Sequence, residues 1–427
     1  MTHLYFTGFD CLGCRTAYAP DQDLLLCPRC HHLLEARYDL ARFGREVDRD
    51  ALARRPAGVW RWRELLPVLD PTRIVTLGEG GTPFLRSERL ARACGVRELW
   101  LKSDAANPTG SLKDRSITVS ATKAMEFGYD VLSCDSTGNK ASSTAAYAAR
   151  AGLRSVVFCP KDTPVPKMAQ AVFFGARLIR VDGHYSQINA MYRKLIASGR
   201  VKWYDCGTDN PFRYEGKKTY AYEIAQDLGW RVPDRVLHPC AGGMSLVKTW
   251  KGFNELRTLG WTDRLPKMTA VQAARCAPIV ESWKKGLPRV EPVEKQPTIA
   301  SALAAADPGL LGDQTLAAVR ASDGDALAVE EAEITEAVRL LAQEGLMIEP
   351  SGAVTVAAVR RGVQDGARHA RRPARRLSRH RQTVRRQQRL IHAHGEPARF
   401  LDRPACRDAS RHPLGGRCAA DGRGQGG

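Results

Sequence analysis

The segment NPTGSLKDRS, Asn107–Ser116, sets a lysine where a helix start disfavours one. Ser111 and Asp114 stand in S-x-x-D spacing, which predicts a capping box: the serine oxygen accepts a backbone N–H and the carboxylate reaches back. Lys113 then falls in the first helical turn, where unpaired amides and the macrodipole are already positive, and Arg115 is equally misplaced. An ammonium held there near other cations is destabilised. The neutral amine it yields is a nucleophile suited to imine formation, with a surface lysine at a poorly optimised helix start as the alternative on this pattern alone.

Two further stretches predict anion sites. In CDSTGNKASSTAAYAARAG, Cys134–Gly152, a strand ends at Asp135, a turn carries Ser136, Thr137, Gly138 and Asn139, and an alanine-rich helix follows, closed by Gly152. Backbone amides and two hydroxyls converge there on a point that suits a carboxylate or phosphate. In HPCAGGMSLVKTWKGF, His238–Phe253, a strand runs into Ala241, Gly242 and Gly243, and a helix starts near Met244 or Ser245. Small residues let that backbone approach a phosphate closely. Taken alone, an ordinary helix cap and a plain Gly-Gly turn remain the alternatives.

Four of the 12 cysteines form a pattern: Cys11, Cys14, Cys27 and Cys30 read C-x2-C, twelve residues, C-x2-C. Two such knuckles supply four thiolates to a tetrahedral structural zinc, with the spacing kept but no metal as the alternative. The remaining cysteines are isolated, which excludes a disulfide framework.

These residues need elements to position them. The runs ELWLKSD, DVLSCDS, SVVFCP, ARLIRVDG, VKWYDC, RVLHPCAGG and KMTAVQAA alternate with helical segments of about ten to fifteen residues, which predicts parallel sheets with helices on both faces. In such folds ligands sit beyond the carboxyl ends of strands. A chain of 427 residues, 43% hydrophobic, has room for two or three domains and a sizeable core. It contains no run of about 18 to 20 apolar residues and no N-terminal signal pattern, so a cytoplasmic protein with no membrane partner is expected.

The net charge of +19 is uneven. Arg361–Gly427 holds 17 arginines, no lysine and 5 acidic residues, +12 of the total. From about Gly362 no period of 2 or 3.6 is sustained. That composition predicts a disordered tail, an RNA-binding arm, or the product of a shifted reading frame.

Together, in this order and spacing, the three stretches resemble the fold type II enzymes that use pyridoxal phosphate, and among them the threonine synthases. NPTGSLKDR is similar to that family's cofactor-lysine motif, STGN to its substrate-carboxylate loop, and NPFRYEGKKTYAYEIA to the segment before its phosphate loop. LGEGGTP, EPSGA (Glu349–Ala353) and the cysteine-bearing extension also fit. The resemblance covers about residues 8 to 361.

It implies a pyridoxal 5'-phosphate cofactor with Lys113 as the Schiff-base lysine and proton shuttle. Asn139 would bond the cofactor's 3-hydroxyl, and Ala241, Gly242, Gly243, Met244 and Ser245 would surround its phosphate. Ser136 and Thr137 would hold the substrate carboxylate, and Arg213 with Thr208 the substrate phosphate. The implied reaction turns O-phospho-L-homoserine and water into L-threonine and phosphate. Three positions depart from the pattern: Lys140 stands where a small residue is usual and is read as a further substrate-anion contact, Gly207 replaces an amide side chain, and CAGGMS is poor in glycine. Alternatives are a threonine or serine dehydratase or a phosphoserine-dependent synthase. More remote is a zinc-ribbon nucleic-acid-binding protein, whose partner class the site residues disfavour.

The expected architecture is thus an α/β, two-domain fold type II enzyme, acting on a phosphorylated amino acid as a homodimer. Residues 1–40 form a zinc-ribbon-like module and 41–115 and 216–362 the large domain. Residues 116–215 form the small substrate-loop domain and 363–427 the tail. In the family, the region after Arg361 would bring another core strand and a Ser or Thr facing the pyridine nitrogen. Neither Ser378 nor Thr383 lies in such a pattern.

Overall fold

The computed structural model describes residues 5–370, Pro164 and His184 excepted. The cysteine-bearing end builds an antiparallel sheet of β1 (Phe6–Cys11), β2 (Ala17–Tyr18) and β3 (Leu34–Tyr38), in the order β2-β1-β3. Phe6, Phe9, Leu34 and Ala36 of this sheet share a buried cluster with Phe212. A short antiparallel pair follows, β4 (Phe84–Arg86) with β5 (Trp100–Lys102).

Two wholly parallel sheets carry the rest. The first comprises β6 (Val131–Asp135), β7 (Arg154–Pro160), β8 (Arg177–Val181) and β9 (Tyr204–Asp205), in the order β8-β7-β6-β9. Every residue of β6 is buried. Strands covered on both faces need apolar side chains on both faces, so their sequences do not alternate. The second comprises β10 (Arg235–Pro239), β11 (Lys267–Ala273) and β12 (Asp325–Val329), in register from Arg235↔Lys267 and Thr269↔Asp325.

All seven strands read from the sequence form, with one correction: the ELWLKSD strand, β5, belongs to the antiparallel pair, where it packs Trp100 flat on Phe84 at 4.9 Å. β12 escaped the reading because DALAV opens on an aspartate and is rich in alanine, both poor strand formers.

The strand order fixes where a ligand can enter. After β6 the chain steps one way to β7 and β8, then returns to place β9 on the other side of β6. The carboxyl ends of β6 and β9 therefore border a topological switch point, the crevice where open parallel sheets bind ligands. The loop after β6 carries Ser136–Gly138, and the loop after β9 carries Gly207 and Thr208.

One boundary also moves. The Pro350–Ala370 helix continues through 363–370, so the expected disorder is corrected there. Residues 371–427, with Ser378 and Thr383, lie outside the described residues.

Candidate active site

Lys113 stands at the N-cap of the Asp114–Glu126 helix, in right-handed helical conformation, rather than inside the first turn. The capping box does not form. Ser111 Oγ accepts from the Lys113 amide at 3.2 Å, but Asp114 turns away from Ser111. Its carboxylate accepts from the Thr109 amide (2.8 Å), the Thr109 hydroxyl (2.7 Å) and the Ser143 hydroxyl (2.5 Å). Asp114 thus fastens the lysine loop to the Asn139–Ala151 helix, which a reading of local spacing could not foresee.

Arg115, fully buried, is neutralised rather than misplaced. Its guanidinium donates to both oxygens of Asp104 at 2.9 Å, to Glu223 at 2.5 and 2.9 Å, and to the hydroxyls of Thr82 and Thr219. It also lies 4.2 Å from the centroid of Tyr220. Two carboxylates supply the counter-charge that the helix start withholds, so the chain entering Lys113 is rigidly held.

Lys113 itself is half-buried, and no hydrogen bond to its Nζ forms among the described residues. Burial first, then the positive charges of Arg213 and Lys140, push its amine down to about 8, against the pull of Glu349. A group so shifted offers a neutral amine near physiological pH.

The loop after β6 forms as the sequence predicts, with Asn139 the first residue of its helix. No side chain caps that helix, and the Gly138 amide is met by Ser136 Oγ at 3.2 Å. Asn139 Nδ2 donates to Glu349 of the EPSGA segment at 3.2 Å, which brings a residue from 210 positions away to the site. Lys140, read as a substrate contact, pairs with Asp135 at 2.7 Å. The aspartate that ends β6 binds the ammonium back onto its own strand, and Asn189 donates to its other oxygen at 2.6 Å.

The Ala241–Ser245 loop joins β10 to the 15-residue Met244–Thr258 helix, whose start also lacks a side-chain cap. Gly243 is left-handed at φ +82°, and a Cβ there would fall 2.1 Å from Thr315 Oγ1, so only glycine fits. Thr315 in turn donates to the Gly242 carbonyl at 2.7 Å. The loop is therefore pinned from behind and its first helical amides are left for an anion, which is the donor set a cofactor phosphate requires. With the unpaired Lys113 amine, these residues fit pyridoxal phosphate.

Arg213 is 3% exposed, on the Pro211–Glu215 helix. Its Nη1 donates to the Gly207 carbonyl at 2.6 Å and its Nε has no partner. Thr208 presents its hydroxyl to Arg193 at 2.9 Å, so it is engaged at the loop after β9 rather than open. Two buried groups beside these residues were missed by the sequence reading. Lys217 follows Arg213 by four residues, and His238 on β10 has an unpartnered Nε2 and is pushed down to about 4, chiefly by burial. The only signal for Lys217 was its helical spacing from Arg213.

The four knuckle cysteines converge, their sulfur atoms all within 4.8 Å of one another. Cys11–Cys30 and Cys14–Cys27 stand 3.3 and 3.6 Å apart, close to the roughly 3.8 Å edge of a tetrahedron with Zn–S bonds of about 2.3 Å. Arg15 and His31, each following the second cysteine of a knuckle, adopt positive φ of 61° and 58° and close the two turns alike.

A family profile described as pyridoxal-phosphate dependent enzyme matches residues 75–371. The threonine synthase of Methanocaldococcus jannaschii is 40% identical over 358 residues, 83% of this chain and 87% of that protein. That of Methanosarcina acetivorans is 38% identical over the same shares. Among solved structures, a threonine deaminase from T.th. superposes with a TM-score of 0.56 at 26% identity, covering 67% of this chain and 88% of that one. L-serine ammonia-lyase of Rhizomucor miehei gives 0.58 at 22% identity over 69% and 90%, a likeness of fold.

Proposed function

The chain belongs to the pyridoxal-phosphate dependent enzymes and, within them, to the threonine synthases, and on that premise we propose the roles its residues take in converting O-phospho-L-homoserine and water to L-threonine and phosphate. The observation that carries the reading is the lowered, unpaired amine of Lys113 within the electrostatic reach of buried Arg213. It supports reading the amine as the proton-transferring base and the guanidinium as the phosphate-binding group of one site.

Bound pyridoxal phosphate supplies the electron sink that acidifies the substrate's Cα. Lys113, whose neutral amine becomes available as pH rises through about 8, removes the proton from Cα and then moves a proton at Cβ. Ser136, Thr137 and the loop amides hold the carboxylate, fixing the face on which Lys113 works. Arg213 takes the phosphate; it binds in two-pronged fashion through Nε and Nη, and an unpartnered Nε is what such a fork leaves free. As a proton leaves Cβ, the C–O bond at Cγ breaks and phosphate departs with its electron pair. Cγ then takes a proton to become the methyl group, and water adds its hydroxyl at Cβ with its proton passing to the released phosphate. Lys113 returns a proton to Cα. Asn139 would bond the cofactor's 3-hydroxyl, and Ala241, Gly242, Gly243, Met244 and Ser245 would hold its phosphate. Lys140 supports the carboxylate loop through Asp135 rather than binding substrate.

The large domain is formed by 41–115 and 216–362 and the small domain by 116–215. Cys11, Cys14, Cys27 and Cys30 hold one zinc ion; four thiolates leave it no open position, so its role is structural. The enzyme works as a cytoplasmic homodimer; no described helix is long and apolar enough to cross a membrane. Stoichiometric release of inorganic phosphate and threonine from phosphohomoserine tests the assignment. Formation of 2-oxobutanoate from threonine without phosphate release would reject it in favour of a dehydratase.

A further inference from the structure

Among the described residues five lysines are buried: Lys123, Lys140, Lys217, Lys218 and Lys248. Four are ion-paired, to Glu126, Asp135, Glu215 with Glu255, and Glu35 with Glu215 respectively. Lys217, 5% exposed, has neither an ion pair nor a hydrogen bond at Nζ. The chain stays helical from Pro211 to Asp227 in successive α and 3-10 turns, so Arg213 and Lys217, four residues apart, leave the same face. They converge: Arg213 Cζ and Lys217 Nζ lie 4.9 and 5.4 Å from the centroid of one ring, Tyr214.

Two largely buried basic side chains share one ring, with Arg213 Nε unpartnered and Lys217 Nζ without a protein acceptor, an arrangement that an anion would complete. The groups facing Lys217 from neighbouring elements are Lys113, Cys240, His238 and Asp104. Asp104 alone carries opposite charge, and it is bound by Arg115 and Tyr220.

Resting on the assignment of Arg213 to the substrate's phosphate, we propose that Lys217 is the second arm of that site, donating to the phosphate monoester of the substrate and to the inorganic phosphate released from it. A guanidinium fork and an ammonium together meet a dianion that either alone would leave half-neutralised. Burial, then the fields of Lys113 and Arg213, hold the Lys217 amine well below the ordinary lysine range, so the empty site tolerates it uncharged and the arriving dianion draws a proton onto it.

The test uses holoenzyme, with inorganic phosphate as the calorimetric probe and phosphohomoserine for kinetics, on wild type, Lys217→Met, Lys217→Arg and Arg213→Ala. Lys217→Met is expected to weaken phosphate binding and raise KM about tenfold or more, with kcat and cofactor absorbance held within about twofold. Lys217→Arg should restore most of the phosphate affinity. Without phosphate, Lys217→Met should also raise the Tm, because it removes an unpaired buried amine, whereas a merely structural lysine would lower it. Unchanged phosphate affinity, or cofactor lost in step with phosphate, would overturn the proposal. Phosphate binding intact in Arg213→Ala but lost in Lys217→Met would instead remove the Arg213 premise and leave Lys217 standing. Should Lys217→Met not accumulate, Lys217→Gln decides: affinity equal to wild type overturns the proposal.

Discussion

A lysine becomes a working nucleophile at neutral pH by being kept from water and beside other cations, and Lys113 has both conditions. Its amine at about 8, from an ordinary 10.5, is protonated below that pH and free above it, so reactivity falls as pH falls through 8. The expected result is that apoprotein treated with pyridoxal phosphate and reduced with borohydride is labelled at Lys113, with a rate half-maximal near pH 8. Peptide mass spectrometry finding the label on Lys102 or Lys140, or a midpoint near that of a free lysine, would refute it. The position of Lys113 at a helix start was legible in sequence, while its candidacy as the reactive amine came from the other motifs and the family resemblance rather than from this stretch alone. Asp114 was misread because its partners, Thr109 and Ser143, lie outside the four-residue window that defines a capping box. Lys217 was illegible because a helical lysine ordinarily faces water, and only the fold shows that this one does not.

The elements that aim these side chains meet at one buried hub. Glu215, closing the helix that bears Arg213, accepts from Lys218 (3.2 Å), Lys248 (2.7 Å) and Lys251 (2.9 Å). Lys248 belongs to the helix whose start forms the phosphate loop, and it also donates to Glu35 on β3 at 2.8 Å. Phe9 of β1 meets Phe212, next to Arg213, edge-on at 4.8 Å. The cysteine module is therefore a buttress for the Arg213 helix rather than an appendage. Glu215→Gln leaves the three lysines with Glu35 and Glu255 alone, and a broken buried network of this kind typically costs about 3–5 kcal/mol, read as a lowered Tm or denaturant midpoint. Metal analysis should return one zinc per chain, absent in Cys27→Ser. Chelation should raise KM for phosphohomoserine before cofactor is lost, since β1 and β3 touch the Arg213 helix more directly than the Lys113 loop. Zinc-free protein with unaltered KM would refute the buttress. None of this hub was legible in sequence, because its charges read individually as solvated.

At the scale of the whole molecule, parallel strands were readable because burial on both faces removes the polar–apolar alternation, as in Val131–Asp135 and Arg154–Pro160. Their order was not, and it is the order, with β9 returning beside β6, that sets the STGN loop and the loop after β9 side by side. The same scale bears on the C-terminal segment. Every residue assigned a cofactor or substrate contact lies between Lys113 and Ser245, Glu349 joins them through Asn139, the family match ends at residue 371, and +12 of the net charge falls after Arg360. A chain ending at Ala370 should therefore keep its cofactor absorbance and its release of phosphate from phosphohomoserine. It should also lose whatever salt-sensitive affinity the full chain has for polyanions such as RNA, because each arginine–phosphate contact releases counterions and steepens the salt dependence. Loss of cofactor on this truncation would mean that the arginine-rich segment completes the site, and the assignment of its residues to Lys113–Ser245 would then be incomplete.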